Sequence, residues 1–556
     1  MSLTLEYFDV PMGAQENMTV SGTGQPFNTL AGLVSGKQIR TAYATLEPGV
    51  WTLDGTRKLL ADTPAGIAWW SGSRSGEDGK FAMPPMLEIC FPEVYSTTGF
   101  TFTFSPETNQ WCSRVQADFY NGQTLIAQLL AEPDQGRYIW QQPMDSFDRI
   151  VFHFLETNQP GQFAKLRYLQ IGQVTEFGTD ELKQVKLLNE TDPSLCELTA
   201  DTMTAEVYDR KNRQLRPQEN QKVVLYRDGE VVAVQYLRES SRQSQRQYLF
   251  TCQSAIGLLE DDFLGGIYQD MPAQTLLNEV LEGVPFSLAA SLADSTLTGY
   301  LPVCTRREAL QQIAFAIGAM VTTRADGVIR LQPVPKRVSH SFLSEEIFAG
   351  ATLETGQRIA RYEVLAHSYR QSEETETLVE EETMAQNESF LLFEEPHHSY
   401  TVSGGQLLDS GANWVRIRSD GPVTVSAKKY RHRTVLHTRQ DAAAVAVERG
   451  NVLRVEAATL VSGKNVTQVL ARLYSSGQLR QTLSQRVVVR KQEVGDRVVS
   501  QNPWGTRSTG IIAAMESVLT QSGHTAQITI RGMESKAEAA LQFAGQFYAG
   551  NREVLD

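Results

Sequence analysis

Residues 299–333, GYLPVCTRREALQQIAFAIGAMVTTRADGVIRLQP, specify three consecutive elements and leave little freedom between them. Gly299, Tyr300 and Pro302 read as a turn that closes the preceding segment. Thr305 is placed as an N-cap, with Glu308 three residues on to complete a capping box. Leu310, Ile313, Phe315 and Ile317 then make a helix that is apolar on most of its surface and has to be buried nearly all round. After Gly318, AMVTT and VIRLQP flank Arg324-Ala325-Asp326-Gly327, and Asp-Gly between two β-rich runs predicts a hairpin. A buried helix feeding a hairpin is a packing unit. It contains no nucleophile and no ligand cluster.

At 556 residues the chain is too long for one core, because single cores stop growing at about 250–300 residues, so three or four domains are expected. Hydrophobic residues at 41% and charged residues at 21% are ordinary for globular domains. No run approaches the ~18 apolar residues of a membrane helix. The opening MSLTLEYFDVPMG has neither the basic nor the apolar region of a signal peptide. Cys90, Cys112, Cys196, Cys252 and Cys304 are scattered without CxxC spacing and odd in number. They read as buried small hydrophobes of a protein made in a reducing cytoplasm. The net charge of −13 disfavours general attraction to nucleic acid or to an anionic membrane.

The polar residues 1–30 read as an extended arm. Residues 31–175 read as an antiparallel β-sandwich. Phe100, Phe102 and Phe104 alternate with threonine, Ile150, Phe152 and Phe154 alternate with His153 on the other face, and Asn121-Gly122 marks a tight hairpin. Residues 176–350 read as α+β, with strands around Asp228-Gly229, a short helix in AIGLLEDD, and a helix from Pro272 that Gly283 closes. Residues 351–532 return to β with helices expected at DAAAVAVERG and VTQVLARLYSSG, and residues 533–556 read as a terminal helix. Nine glutamates and no basic residue fall in 372–395. Such a block is a solvated loop or edge hairpin, or else a cation or partner site. The fold class is therefore multidomain and mainly β, with α+β regions.

From Lys222 onward the chain resembles the baseplate or tail-tip hub proteins of bacteriophages, prophages and phage-tail-like bacteriocins. The segments that carry the likeness are KVVLYRDGEVVAVQYLRESSRQSQRQYLFTCQSAIGLLEDDFLGGIY, PAQTLLNEVLEGVPFSL, GYLP with TRREALQQIAFAIGA, and VGDRVVSQNPWGTRSTGIIAAMESVLTQSGHTAQITIRGM. The resemblance implies a structural virion protein with two tube-type β-barrel domains in one chain, so that a homotrimer imitates a six-fold ring. The expected pair is 176–260 with 350–370 plus 420–532. The implied partners are the tail tube protein and the distal tail and tip or receptor-binding proteins, in the virion tail. By layout alone, 31–175 resembles galactose-binding-like jelly rolls, which adds a host cell-surface glycan as a partner. Specific nucleic-acid binding and membrane insertion are not expected.

Sequence motifs for chemistry are missing: no HExxH, no Walker loop, no DxDxDG and no GxSxG. Ser21-Gly22-Thr23-Gly24 lacks the strand and helix of a phosphate loop, and Gly72–Gly76 has arginine where an elbow needs serine. No catalytic residue, metal ligand or cofactor is expected, and the chain reads as a non-enzyme. His397, His398, His432 and His437 are placed on diverging faces and read as structural. Trp69, Trp70, Trp111, Tyr138 and Trp140 lie in or beside expected loops. Aromatic faces can stack on sugar C–H surfaces, or the same rings can plug the sandwich core. Two other readings are a carbohydrate-binding surface protein and a tail-associated cell-wall hydrolase using paired carboxylates.

Overall fold

A computed structural model describes residues 2–11, 14, 18–23, 69–104, 109–194, 197–213, 215–383, 387–443, 451–520 and 523–536. The fold is multidomain and mainly β. Its spine is one hydrogen-bonded sheet of 13 strands that curls round two separate cores as two open barrels, whose end strands are not hydrogen-bonded to each other among the described residues. In the first, the order is Val174–Phe177, Leu3–Pro11, Gln221–Arg227, Glu230–Arg242, Gln247–Gln253, Thr202–Tyr208 and Leu182–Glu190. Every one of these seven strands contributes to a single core that includes Leu5, Tyr7, Phe177, Val185, Ala205, Leu225, Leu237 and Phe250. The alternation Leu3, Leu5, Tyr7 in, Thr4, Glu6, Phe8 out is the period of two that a half-buried strand imposes.

The second barrel is built from His340–Phe342, Thr352–Thr355, Gln481–Val488, Arg497–Gln501, Thr506–Thr520 and Gly523–Lys536. Phe342, Leu483, Val487, Val498, Ile512, Met515, Ile528 and Ile530 fill it, with Leu353 packed against them. The barrels meet edge to edge where Leu182–Glu190 pairs antiparallel with Thr506–Thr520, in register from Val185 opposite Leu519 to Glu190 opposite Ala514.

Each barrel is interrupted. The β-sandwich is inserted in the first barrel between Pro11 and Val174. Its five-stranded sheet runs Thr19–Gly22, Met86–Thr97, Met144–Thr157, Cys112–Asn121, Thr124–Ala131, and faces the three-stranded Tyr168–Ile171, Phe100–Thr103, Arg137–Trp140. Phe100, Phe102, Phe104, Ile150, Phe152 and Phe154 are all fully buried in its core, and the Asn121-Gly122 hairpin forms. The second barrel is interrupted between Thr355 and Gln481. There Arg361–Thr383 pairs with Pro422–Gln440 in a long hairpin, and helix α3 (Val466–Gln478) packs its Val469 and Leu473 against Tyr362 and Val364.

Between the barrels lie helix α1 (Ala273–Val280) and helix α2 (Arg306–Ile317). Thr305 and Glu308 form the expected capping box, and Gly318 ends α2 in the left-handed region at φ 81°. Ala309, Leu310, Ile313 and Ala314 are buried against α1, and Met320–Thr323 and Ile329–Gln332 make the expected hairpin.

Five expectations are corrected. The start of the 1–30 arm is a barrel strand, Leu3–Pro11, because its alternating face closes a core whose other strands lie about 170 residues or more away. Gly299 and Tyr300 are in the strand Thr296–Leu301; Gly299 is needed because a Cβ would sit 2.3 Å from Thr459 O. Of the expected 350–370 plus 420–532, residues 356–370 and 420–480 are outside the second barrel, which instead takes His340–Phe342 from the segment before them. Of the two readings of the acidic segment 372–395, the loop is corrected: it is strand through Thr383 and again over Glu388–Leu392. Residues 533–536 end a strand, and 537–556, like 444–450 of the expected helix at 441–450, lie outside the described residues.

Candidate functional site

At the seam between the barrels, segments far apart in the chain are tied together. The α2-linked hairpin rivets it. Thr191 Oγ1 donates to Val321 O at 2.9 Å, Ala325 N donates to Glu493 Oε1 at 3.2 Å, and Arg324 reaches both Glu493 and Asp496. Arg531 of the second barrel pairs with Asp192 of the first at 3.2 Å. Two buried titrating groups flank the seam. Asp201, which accepts from Glu190 N at 3.0 Å, is pushed up to about 7 by burial. His524 lies 2.7 Å from Arg227 and is pushed down to about 4 by burial and by that guanidinium.

The five aromatics picked out as sugar-stacking candidates do not share one face. Trp69 and Trp140 are core residues, 1% and 6% exposed, with Phe154 against the first and Phe100, Phe102 and Phe119 around the second. Trp70 is buried between Phe163 and the Lys165 ammonium. Trp111, whose Nε1 donates to Pro133 O at 3.1 Å, and Tyr138 are half-buried against the same core. Loop position in the sequence could not separate these cases, since a strand end and a loop look alike there.

The histidines make contacts that sequence spacing missed. His432 lies 3.0 Å from His367 and stacks on Tyr369 at 4.4 Å. His367, from the opposite arm of the long hairpin, was not singled out because its partner is far along the chain; burial lowers its pKa. His397 is buried and contacts Glu395 O and Glu376, and His398 contacts Ser372 O. Beside them an open cleft of about 680 Å³ is lined by Tyr268, His367, Tyr369, Tyr430 and Lys464. Three glutamates of 372–395 pair with cations on two strands: Glu373 with Lys428 and Glu376 with Lys429 at 3.0 Å, both on Pro422–Gln440, and Glu388 with Arg418 of Trp414–Arg418. Among the described residues no group of three or more His, Cys, Asp or Glu side chains is placed to hold a metal ion.

No protein-family model matches the chain, and no curated protein matches it. Solved structures do resemble it. The 43 kDa tail protein of prophage MuSo2 from Shewanella oneidensis is 10% identical at TM-score 0.40, covering 65% of this chain and 94% of that one. A tail protein from Neisseria meningitidis MC58 is 10% identical at TM-score 0.39 with the same coverage. A family 32 carbohydrate-binding module from C. perfringens, solved with galactose, is 15% identical at TM-score 0.20 and covers 31% of this chain and 99% of that one.

Proposed function

We propose that the chain is a structural component of a phage or phage-like tail tip or baseplate, a hub that adapts the tail tube to the proteins beyond it. The observation that carries the reading is the barrel pair joined in one sheet, in a chain whose segments from Lys222 onward resemble tail hubs. Three copies would place six barrels in a ring. A six-fold tube can then rest on a three-fold tip, since closed rings arise when one surface meets another at a fixed rotation. The role asks for no covalent chemistry, and the sandwich projects from the first barrel as the outward module.

Host-glycan contact remains part of the proposal for the sandwich, where Trp111 and Tyr138 keep ring surface near solvent. A glycan array with the full chain tests it; binding lost in Trp111→Ala supports sugar contact, and no binding removes it. The hub role is tested by deleting the gene from a particle-producing strain. The expected result is unassembled tube protein and particles without functional tails. Tails of normal shape and infectivity would overturn the reading.

A further inference from the structure

The long hairpin carries its charge in two separate lots. Residues 423–440 hold Lys428, Lys429, Arg431, Arg433 and Arg439 and no acid, whereas 372–395 hold nine glutamates and no basic residue. Where the two overlap across the ladder they neutralise each other, Lys428 with Glu373 and Lys429 with Glu376. Beyond the overlap each sign is left over. Arg370, Arg431 and Arg433 are exposed without an ion-pair partner among the described residues, and so are Glu380, Glu381 and Glu382. The acids beside the leftover arginines, Glu363 and Glu456, are already bound to Arg361 and Arg454. Arg370 also stands directly opposite Arg431, and like charges facing across a ladder destabilise it. Glu382 lies opposite Val423, eight residues from Arg431, or about 26 Å at the rise of a strand. That is about three Debye lengths in physiological salt, so the leftover charges do not neutralise each other within one chain.

Both ends also have an open edge and bare apolar side chains. On Pro422–Gln440, pairing with His397–Ser403 stops at Lys429, so the outer edge of Tyr430–Gln440 faces no strand among the described residues. On Arg361–Thr383, pairing with Val452–Val455 stops at Val364, so the acidic end has no outer strand beside it either. Val435 and Leu436 are 44% and 46% exposed at the basic end. Phe390 and Leu392, on the strand that follows the acidic end, are 43% and 56% exposed. Charge on an edge strand can serve to keep other strands away. Repulsion, however, needs one sign along the whole edge and little apolar surface. Cations with apolar residues at one end, and acids with apolar residues at the other, make two complementary surfaces instead.

We infer that the basic end of the hairpin is the surface on which a second copy of this chain docks, through the acidic end of its own hairpin. Arg370, Arg431 and Arg433 of one copy then face Glu380, Glu381 and Glu382 of the next, and the exposed apolar side chains of the two ends close on each other. The contact is head to tail. Every copy receives with one end and gives with the other, and a suitable fixed rotation closes the chain of contacts into a ring. The inference deepens the hub reading by naming the surface through which copies meet, and it rests on that reading for the number of copies in the ring.

The test is sedimentation velocity of the purified full chain at up to about 0.5 mM, which reveals affinities near millimolar. The wild type is expected to self-associate in about 0.05 M salt, and about 0.5 M salt should weaken that association about tenfold or more. Arg431→Glu with Arg433→Glu, and separately Glu380→Lys with Glu382→Lys, should each weaken it about tenfold or more in low salt. All four side chains are exposed, so both variants should melt as the wild type does. A chain carrying all four reversals should recover association to within about threefold of wild type, because the signs match again with the ends exchanged. A wild type that stays monomeric in low salt, association that neither reversal weakens, or a four-site variant no better than the two-site ones would overturn the inference. The basic end would then be left to an acidic partner protein or to solvent. The hub reading is judged separately, by the gene deletion above.

Discussion

The two barrels solve one problem with different fillings. The first has seven strands and packs rings at its centre: Tyr7 stacks on Phe250 at 5.4 Å, and Phe177 meets the same ring edge-on at 6.3 Å. The second has six strands and packs a single ring, Phe342, among Leu483, Val487, Val498, Ile512, Met515, Ile528 and Ile530. The seven-strand core thus holds more ring volume, with Tyr7, Phe177, Tyr248 and Phe250, than the six-strand core, which packs aliphatics around Phe342. Each accepts a long insertion at a strand end, 12–173 in one and 356–480 in the other, without opening its core. The barrel is thus the constant part of the molecule, and the insertions are where its surface can vary.

The sharpest way to break this comparison is to empty each core. Phe250→Ala should destabilise by about 3–5 kcal/mol, and Ile530→Ala by about 2–5 kcal/mol with less spread into neighbours. Because one sheet runs through both barrels, urea melts of either variant should show the barrels unfolding in one transition. Separate transitions for the two barrels would mean that the seam does not couple them.

Next in size is the pH response of the buried pair. His524 titrates at about 4 when folded and near 6.5 when unfolded, so the unfolded chain holds the extra proton between those values. Its contribution to stability therefore falls by about 3 kcal/mol as pH drops from 6.5 to 4. Asp201 has the opposite sign. Its folded value of about 7 lies above the usual 3.8, so the folded chain holds the extra proton and stability falls as pH rises through that window. The two offset each other in the wild type. Relative to wild type, Asp201→Asn should lose stability on acidification from 6.5 to 4, and His524→Gln should gain it. Parallel profiles for all three proteins would refute both assignments.

Smaller effects follow at the connections. Thr305→Ala removes the capping box of α2 and should cost about 1 kcal/mol in a thermal melt, with Thr305→Ser restoring most of it. Lys429→Ala breaks a half-exposed pair with Glu376 and should cost no more than about 0.5 kcal/mol, vanishing in high salt.

Local signals were legible in the sequence wherever the partner is near in the chain. The capping box of α2 and the Asp326-Gly327 and Asp228-Gly229 hairpins form as read, because each is closed by residues within a few positions. Pairing over long range was not legible. Leu3, Leu5 and Tyr7 do alternate, but nothing near them says that Val223 and Leu225 are their neighbours. The acidic run looked like a loop because its cations, Lys428 and Lys429, lie about 50 residues on, across the hairpin. The tryptophans could not be placed because burial at a strand end depends on the opposite sheet. His367 stayed hidden because its partner His432 lies 65 residues on, across the long hairpin.

A reconstruction of the intact particle by cryo-electron microscopy tests the central claim most directly. The account predicts three copies at the tip, with their six barrels in one ring coaxial with the tube and the sandwiches pointing outward. A copy found away from the tube axis, or barrels that do not alternate around it, would contradict the account.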